Sequence, residues 1–255
     1  MKNILNKIYI HPFFLLTILI FILLGRFKFI IYFMSLILVH ELGHIIMSLM
    51  FKWKIYKIII LPFGGLTKYN ELINRPLMEE FLVAISGILL QLIFYNFIQN
   101  YINYRYFSLI NYFIIVFNLL PIYPLDGSKI LNVLFNKITN FKNSILLTVI
   151  ISYMCIIVLS LLLFNVNKLL FMLLVFLFME VNKYYKERDL IFNKFLLERY
   201  LNNLKLKKEK IIKNVYKMKK DYRHIFYIDN KYMTESTFLK KIYEENRNFD
   251  RVNVL

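Results

Sequence analysis

The run Val39-His40-Glu41-Leu42-Gly43-His44-Ile45 sets two imidazoles and a carboxylate inside an otherwise apolar stretch. Ionisable groups in such a stretch are costly and point to function. On a helix, residues four apart lie about 40° from one another and one turn apart, so His40 and His44 share a face. Two imidazoles placed this way can reach one zinc ion at about 2.0–2.1 Å. Glu41 then projects beside the ion rather than into its ligand shell, where it can take a proton from water. With 4 His and 11 Glu in 255 residues, about 0.003 H-E-x-x-H runs are expected by chance, as a product of composition frequencies. The bland alternative is a pair of buried histidines satisfied by backbone carbonyls.

Two histidines leave a catalytic zinc short of its usual three protein ligands. Only Glu41, Glu71, Glu79, Glu80 and Asp126 are acidic in the first 179 residues. Asp126 closes Asn118-Leu119-Leu120-Pro121-Ile122-Tyr123-Pro124-Leu125-Asp126-Gly127, where two prolines break a helix and Gly127 permits a tight turn. Taken alone, Asp126 reads as a helix-end cap or turn residue. Beside the histidine pair it is the candidate third ligand, expected at similar depth on the same side.

The elements that must hold these groups are membrane helices. Hydrophobic residues make up 59% of the chain and charged residues 19%, against about 45–50% and about 25% in soluble domains. A soluble fold would leave apolar surface that nothing buries, and the composition excludes disorder and coiled coil. Apolar spans are expected at about 12–25, 29–51, 78–101, 106–122, 144–164 and 167–182, each judged against the ~20 residues needed to cross a bilayer. The loops 52–77 and 123–143 carry most of the lysines outside the tail, which places them and both termini in the cytoplasm. The net charge of +17 is thus read as facing anionic lipid, with no direct nucleic acid partner. Cys155 lies inside an apolar run and cannot form an internal disulfide.

Within the first loop, residues 56–61 are β-like and Pro62, Gly64 and Gly65 interrupt them. Two readings stand: a hairpin turn, or an extended segment dipping to membrane depth beside a cavity. From residue 183 the chain is basic, with a helix expected over 183–220, a strand over 224–228 and a helix over 236–246. The whole predicts an all-α membrane protein of six transmembrane helices (1–182), with a short β-like or re-entrant loop after the second. A small cytoplasmic C-terminal α/β domain (183–255) follows.

On His40-Glu41-Leu42-Gly43-His44 and the 118–127 run, residues 30–130 resemble the site-2-type intramembrane metalloproteases. The second run matches that family's N-x-x-P-x-P-x-x-D-G pattern at every fixed position. Short outward loops and a cytoplasmic tail make the stage IV sporulation protein FB group the nearest in form. The resemblance implies one zinc per chain, bound by His40, His44 and Asp126, with Glu41 as general base. It also implies a bacterial cell-membrane location and a protein substrate, namely a sporulation pro-sigma factor. The alternatives are a membrane-anchored anti-sigma factor or a signal-peptide remnant. Membrane inhibitor or regulator proteins, and a nucleotide at a degenerate CBS-like tail, belong to the same expectation. Asn118 is the candidate oxyanion donor, and the 56–66 segment a place for substrate to add as a strand. The family's third-helix S-G-P-x-x-N stands here as Ser86-Gly87-Ile88-Leu89-Leu90-Gln91, which leaves position 91 without an assigned role. Readings from other classes are a zinc transporter or sensor, which would not require Glu41, and a scaffold with a basic tail. The scaffold leaves the 118–127 run unexplained.

Overall fold

The computed structural model describes residues 8–10, 12–61, 64–69, 73–102, 106–163, 168–202, 206, 208–228 and 230–245. In chain order come β1 (Ile8–Ile10), α1 (Pro12–Leu23), α2 (Phe27–Met50), β2 (Ile55–Leu61), β3 (Gly64–Tyr69), α3 (Leu77–Ile98) and α4 (Phe107–Leu119). There follow α5 (Asp126–Ile138), α6 (Phe141–Leu163), α7 (Lys168–Leu201), β4 (Lys208–Ile212), β5 (Tyr222–Ile228), β6 (Lys231–Thr234) and α8 (Glu235–Lys240). The described residues are mostly helical, with two three-stranded sheets, β1-β2-β3 and β4-β5-β6.

Among the described residues three helices, α2, α3 and α6, are long and apolar enough to cross a membrane. The runs expected at 12–25 and 106–122 form helices of 12 and 13 residues. At 1.5 Å per residue these reach only about 18–20 Å. Pro12 opens α1 at a position where a missing N–H costs little, and the chain turns away at Gly25 with φ +68°. Proline 121 follows α4 closely and stops it.

Two expectations are corrected. Residues 126–138, read as loop because lysines interrupt the apolar pattern, form α5, whose Gly127, Ser128, Val133 and Asn136 are buried. The helix expected over 183–220 ends at Leu201 and is continuous with the preceding apolar helix as α7. Beyond it Lys208–Ile212 is strand β4, paired in parallel with β5 from Lys208↔Tyr222 to Ile212↔Phe226. Its Lys-Glu-Lys composition suits a helix, but strand pairing to a distant segment overrides local propensity. The strand and helix expected nearer the C-terminus are present as β5 and α8.

The loop after α2 is a hairpin. β2 pairs antiparallel with β3 through Ile60↔Gly65 and Leu61↔Gly64, and β1 lies parallel along the other side of β2. Pro62 falls outside the described residues. Since β2 is the central strand, the edges of this sheet among the described residues are β1 and β3, not the 56–61 stretch.

One apolar cluster joins α2, α3 and α4 through Leu36, Ile37, Tyr95, Ile110 and Ile114. A second joins α4, α6 and α7 through Phe117, Val149, Ile156 and Leu177. The third packs Phe141 and Ile145 of α6 and Phe192, Phe195 and Leu196 of α7 on Ile212, Phe226 and Leu239 from the C-terminal sheet and α8. α2 packs closely on α3 because position 43 has no side chain. A Cβ on Gly43 would overlap the backbone carbonyl of Ser86.

Candidate metal centre

His40 and His44 lie one turn apart on the buried face of α2, and Asp126 opens α5 opposite them. All three are buried. Asp126 Oδ2 stands 3.0 Å from His40 Nε2 and 2.9 Å from His44 Nε2, and the two Nε2 atoms are 3.1 Å apart. The first turn of α5 also offers the Asp126 carboxylate the positive end of a helix dipole.

The opposite edges of the imidazoles are held by α3. His44 Nδ1 lies 2.7 Å from the carbonyl oxygen of Val83. A carbonyl can only accept, so Nδ1 carries the proton and Nε2 presents its lone pair to the centre. His40 Nδ1 lies 3.0 Å from Gln91 Oε1. Between them, a Cβ on Gly87 would overlap His44 Nε2 and stand 2.9 Å from His40 Nε2. Residues 83, 87 and 91 follow at intervals of four, so one stripe of α3 faces one stripe of α2. The sequence pattern Ser86-Gly87 was a hint of this stripe; the carbonyl of Val83 left no trace in it.

Lys129, one turn into α5, donates to the other Asp126 oxygen, Oδ1, at 2.8 Å. That leaves Oδ2 alone to face both histidines. Sequence reasoning missed Lys129, although its i, i+3 spacing from Asp126 was the available signal.

The donor set fits zinc. Two imidazole lone pairs and a carboxylate oxygen converge with no proton donor among them, an arrangement that only a cation or an added proton can satisfy. Their separations approach the ~3.3 Å expected between ligands of a tetrahedral zinc with bonds of about 2.0–2.1 Å. Among the described residues these are the one group of three or more His, Cys, Asp or Glu placed to hold a metal ion.

A cavity of about 350 Å³ opens beside the centre. Glu41 and His44 line it together with Tyr69, Ser128, Lys129 and Lys220. A carboxylate in the wall of a cavity that also touches a ligand histidine can accept a proton from water held there. Asn118 is buried, and one of its two amide protons is donated to the Ile114 carbonyl at 3.0 Å. Gly64 and Gly65 occupy the start of β3 rather than a turn.

A zinc-type donor set beside a cavity-lining carboxylate, with His40, Glu41 and His44 on the long apolar helix α2 and Asp126 at the start of α5, defines the class: a metallohydrolase site. Comparison with known proteins agrees. The profile of Peptidase family M50 matches residues 28–105 and 98–163. Stage IV sporulation protein FB of Bacillus subtilis (strain 168) is 34% identical, over 78% of this chain and 73% of that protein. A zinc metalloprotease of Methanocaldococcus jannaschii is 33% identical over 43% of this chain and 34% of its own length. The solved site-2 protease from Methanocaldococcus jannaschii superposes with a TM-score of 0.56 at 25% identity, covering 69% of this chain and 89% of that one. The chain belongs to peptidase family M50 and is a zinc metalloprotease.

Proposed function

We propose that the chain is an intramembrane zinc endopeptidase that cuts a membrane-associated protein near the cytoplasmic face, processing a sporulation pro-sigma factor. The observation that carries the reading is the convergence of His40, His44 and Asp126 on one point beside a cavity lined by Glu41. In this reading zinc, when bound, supplies a Lewis acid. Glu41 accepts the proton of the attacking water and returns it to the leaving amine. The Asn118 amide proton not given to Ile114 serves the developing oxyanion. Lys129 holds Asp126 by its far oxygen, and the edge of β3 aligns an extended substrate.

The six spans are then α1, α2, α3, α4, α6 and the first half of α7, with the short α1 and α4 accommodated by local bilayer thinning. Termini, hairpin, α5 and the C-terminal module face the cytoplasm in this reading, which the distribution of lysines supports. The module from about residue 183 onward serves to dock substrate. The similarity of the chain to stage IV sporulation protein FB supports a role in sporulation, which is where a pro-sigma substrate belongs.

Co-expression with candidate pro-sigma factors tests this. Glu41→Gln should abolish cleavage while zinc stays bound. If the Gln variant cleaves as well as the parent chain, Glu41 is not the base. If neither variant cleaves any candidate though zinc is present, the substrate assignment fails.

A further inference from the structure

We propose that Gln91, backed by Asn111, is a positioning residue that fixes which nitrogen of His40 carries its proton, and so readies Nε2 for the metal. This rests on the metal reading of His40, His44 and Asp126.

Gln91 and Asn111 are both fully buried, on α3 and α4 respectively. The Gln91 amide nitrogen donates to Asn111 Oδ1 at 3.0 Å and lies 3.3 Å from the Asn111 backbone carbonyl. The backbone carbonyl cannot donate, so it decides the direction of the Gln91 amide. The NH2 must face α4, and Oε1 must face His40. An oxygen 3.0 Å from His40 Nδ1 in turn requires the proton on Nδ1. A neutral imidazole has one such proton, so the lone pair is left at Nε2, 3.0 Å from Asp126 Oδ2.

Both ligand histidines are therefore set by main-chain carbonyls of neighbouring helices. Val83 acts on His44 directly, and Asn111 acts on His40 through one glutamine. Outer partners of this kind orient the ring and raise the basicity of the ligating nitrogen. The same geometry excludes a donor role for Gln91 toward substrate. Its oxygen faces His40, and its nitrogen is taken up by the side chain and backbone carbonyl of Asn111. An apolar residue in its place would leave a buried N–H of His40 without an acceptor and let the ring turn over.

The test compares zinc affinity of the full chain in detergent, by chelator competition, with the melting temperature of the metal-free protein. Gln91→Met keeps the shape and removes both polar ends; it should lose 10–100-fold in zinc affinity. Gln91→Glu is the rescue. Buried and protonated, its O–H donates to Asn111 while its carbonyl accepts from Nδ1, so affinity should stay within about threefold of the parent. Met-variant affinity within twofold of the parent would overturn the proposal. So would equal losses in Met and Glu variants with unchanged melting. Should the Met variant not fold, the Glu variant decides: retention supports the acceptor role, and a hundredfold loss refutes it. Absence of zinc from the parent chain itself would instead sink the metal reading on which this stands.

Discussion

The methyl group of alanine at position 87 is a sharp probe of the centre. In an ordinary helix Gly→Ala stabilises by about 0.5–1 kcal/mol, because glycine loses more backbone freedom on folding. At Gly87 the added Cβ would overlap His44 Nε2 and stand 2.9 Å from His40 Nε2, where ordinary contacts start near 3.4 Å. His44 would have to retreat by roughly 1 Å, several times the ~0.2 Å tolerance of a zinc–ligand distance. It cannot do so freely, since its Nδ1 is tied to Val83 at 2.7 Å. Overpacking of this kind costs about 1–3 kcal/mol, which cancels or exceeds the helix-propensity gain. Gly87→Ala is therefore expected to bind zinc at least about 100-fold more weakly, about 2.8 kcal/mol, than the parent. Its metal-free melting temperature should be unchanged or lower. Chelator competition on protein purified in detergent, with differential scanning fluorimetry, reads both. A variant that keeps parental zinc affinity and melts higher would show that the space over Gly87 is open, and that the packing argued from α3 is wrong.

Two further outcomes follow from the same structure. Asp126→Ala should lose most zinc at fixed free metal, and Asp126→Asn nearly as much, since the site relies on an anionic oxygen; full occupancy in atomic absorption would remove Asp126 from the ligand set. In the C-terminal module, burial holds the His224 imidazole below its ordinary value, in keeping with Nε2 accepting from the Lys219 backbone N–H. A group depressed in this way favours the fold in its neutral form, so its contribution is complete above about pH 6.5 and drains away as pH falls below that. Amide protection factors over residues 222–228, taken against the intrinsic exchange rate at each pH, should fall between pH 6.5 and 5 in the parent and change less in His224→Gln; identical profiles would refute the assignment.

How much of this was legible in the residues differs by kind. His40, Glu41, His44 and Asp126 announce themselves because charge inside an apolar run needs a reason, and zinc supplies one that also explains the spacing. The long helices α2, α3 and α6 are legible because length and hydropathy alone specify them. The supporting layer is not. Val83 contributes a carbonyl, which every residue has, and Gln91 and Asn111 acquire meaning only once α3 and α4 are placed against α2. α5 was hidden because the bracketing of apolar runs treats lysines as loop, whereas Lys129 turns one charge inward to Asp126. β4 was hidden because its partner β5 lies beyond a turn and contributes nothing to local pattern.

The C-terminal module bears on the centre through α3. Asn74, just before that helix, donates to Glu198 Oε2 at 3.0 Å and accepts from Arg199 Nε at 2.8 Å. Glu80 in the first turn accepts from Lys220, which is itself buried. Arg199 is tied onward to Glu235 at 3.0 Å, and Glu235 to His224 at 3.2 Å. A connected set of polar contacts thus runs from the core of the module to the N-terminal end of α3, and Val83 follows Glu80 by less than one turn. Removing one partner from such a buried set strands the other, which costs more than the contact was worth. Since Val83, Gly87 and Gln91 must all meet the His40–His44 face at once, a small rotation of α3 would misplace all three together. Fixing the start of that helix from outside the apolar bundle holds the register on which both imidazoles depend.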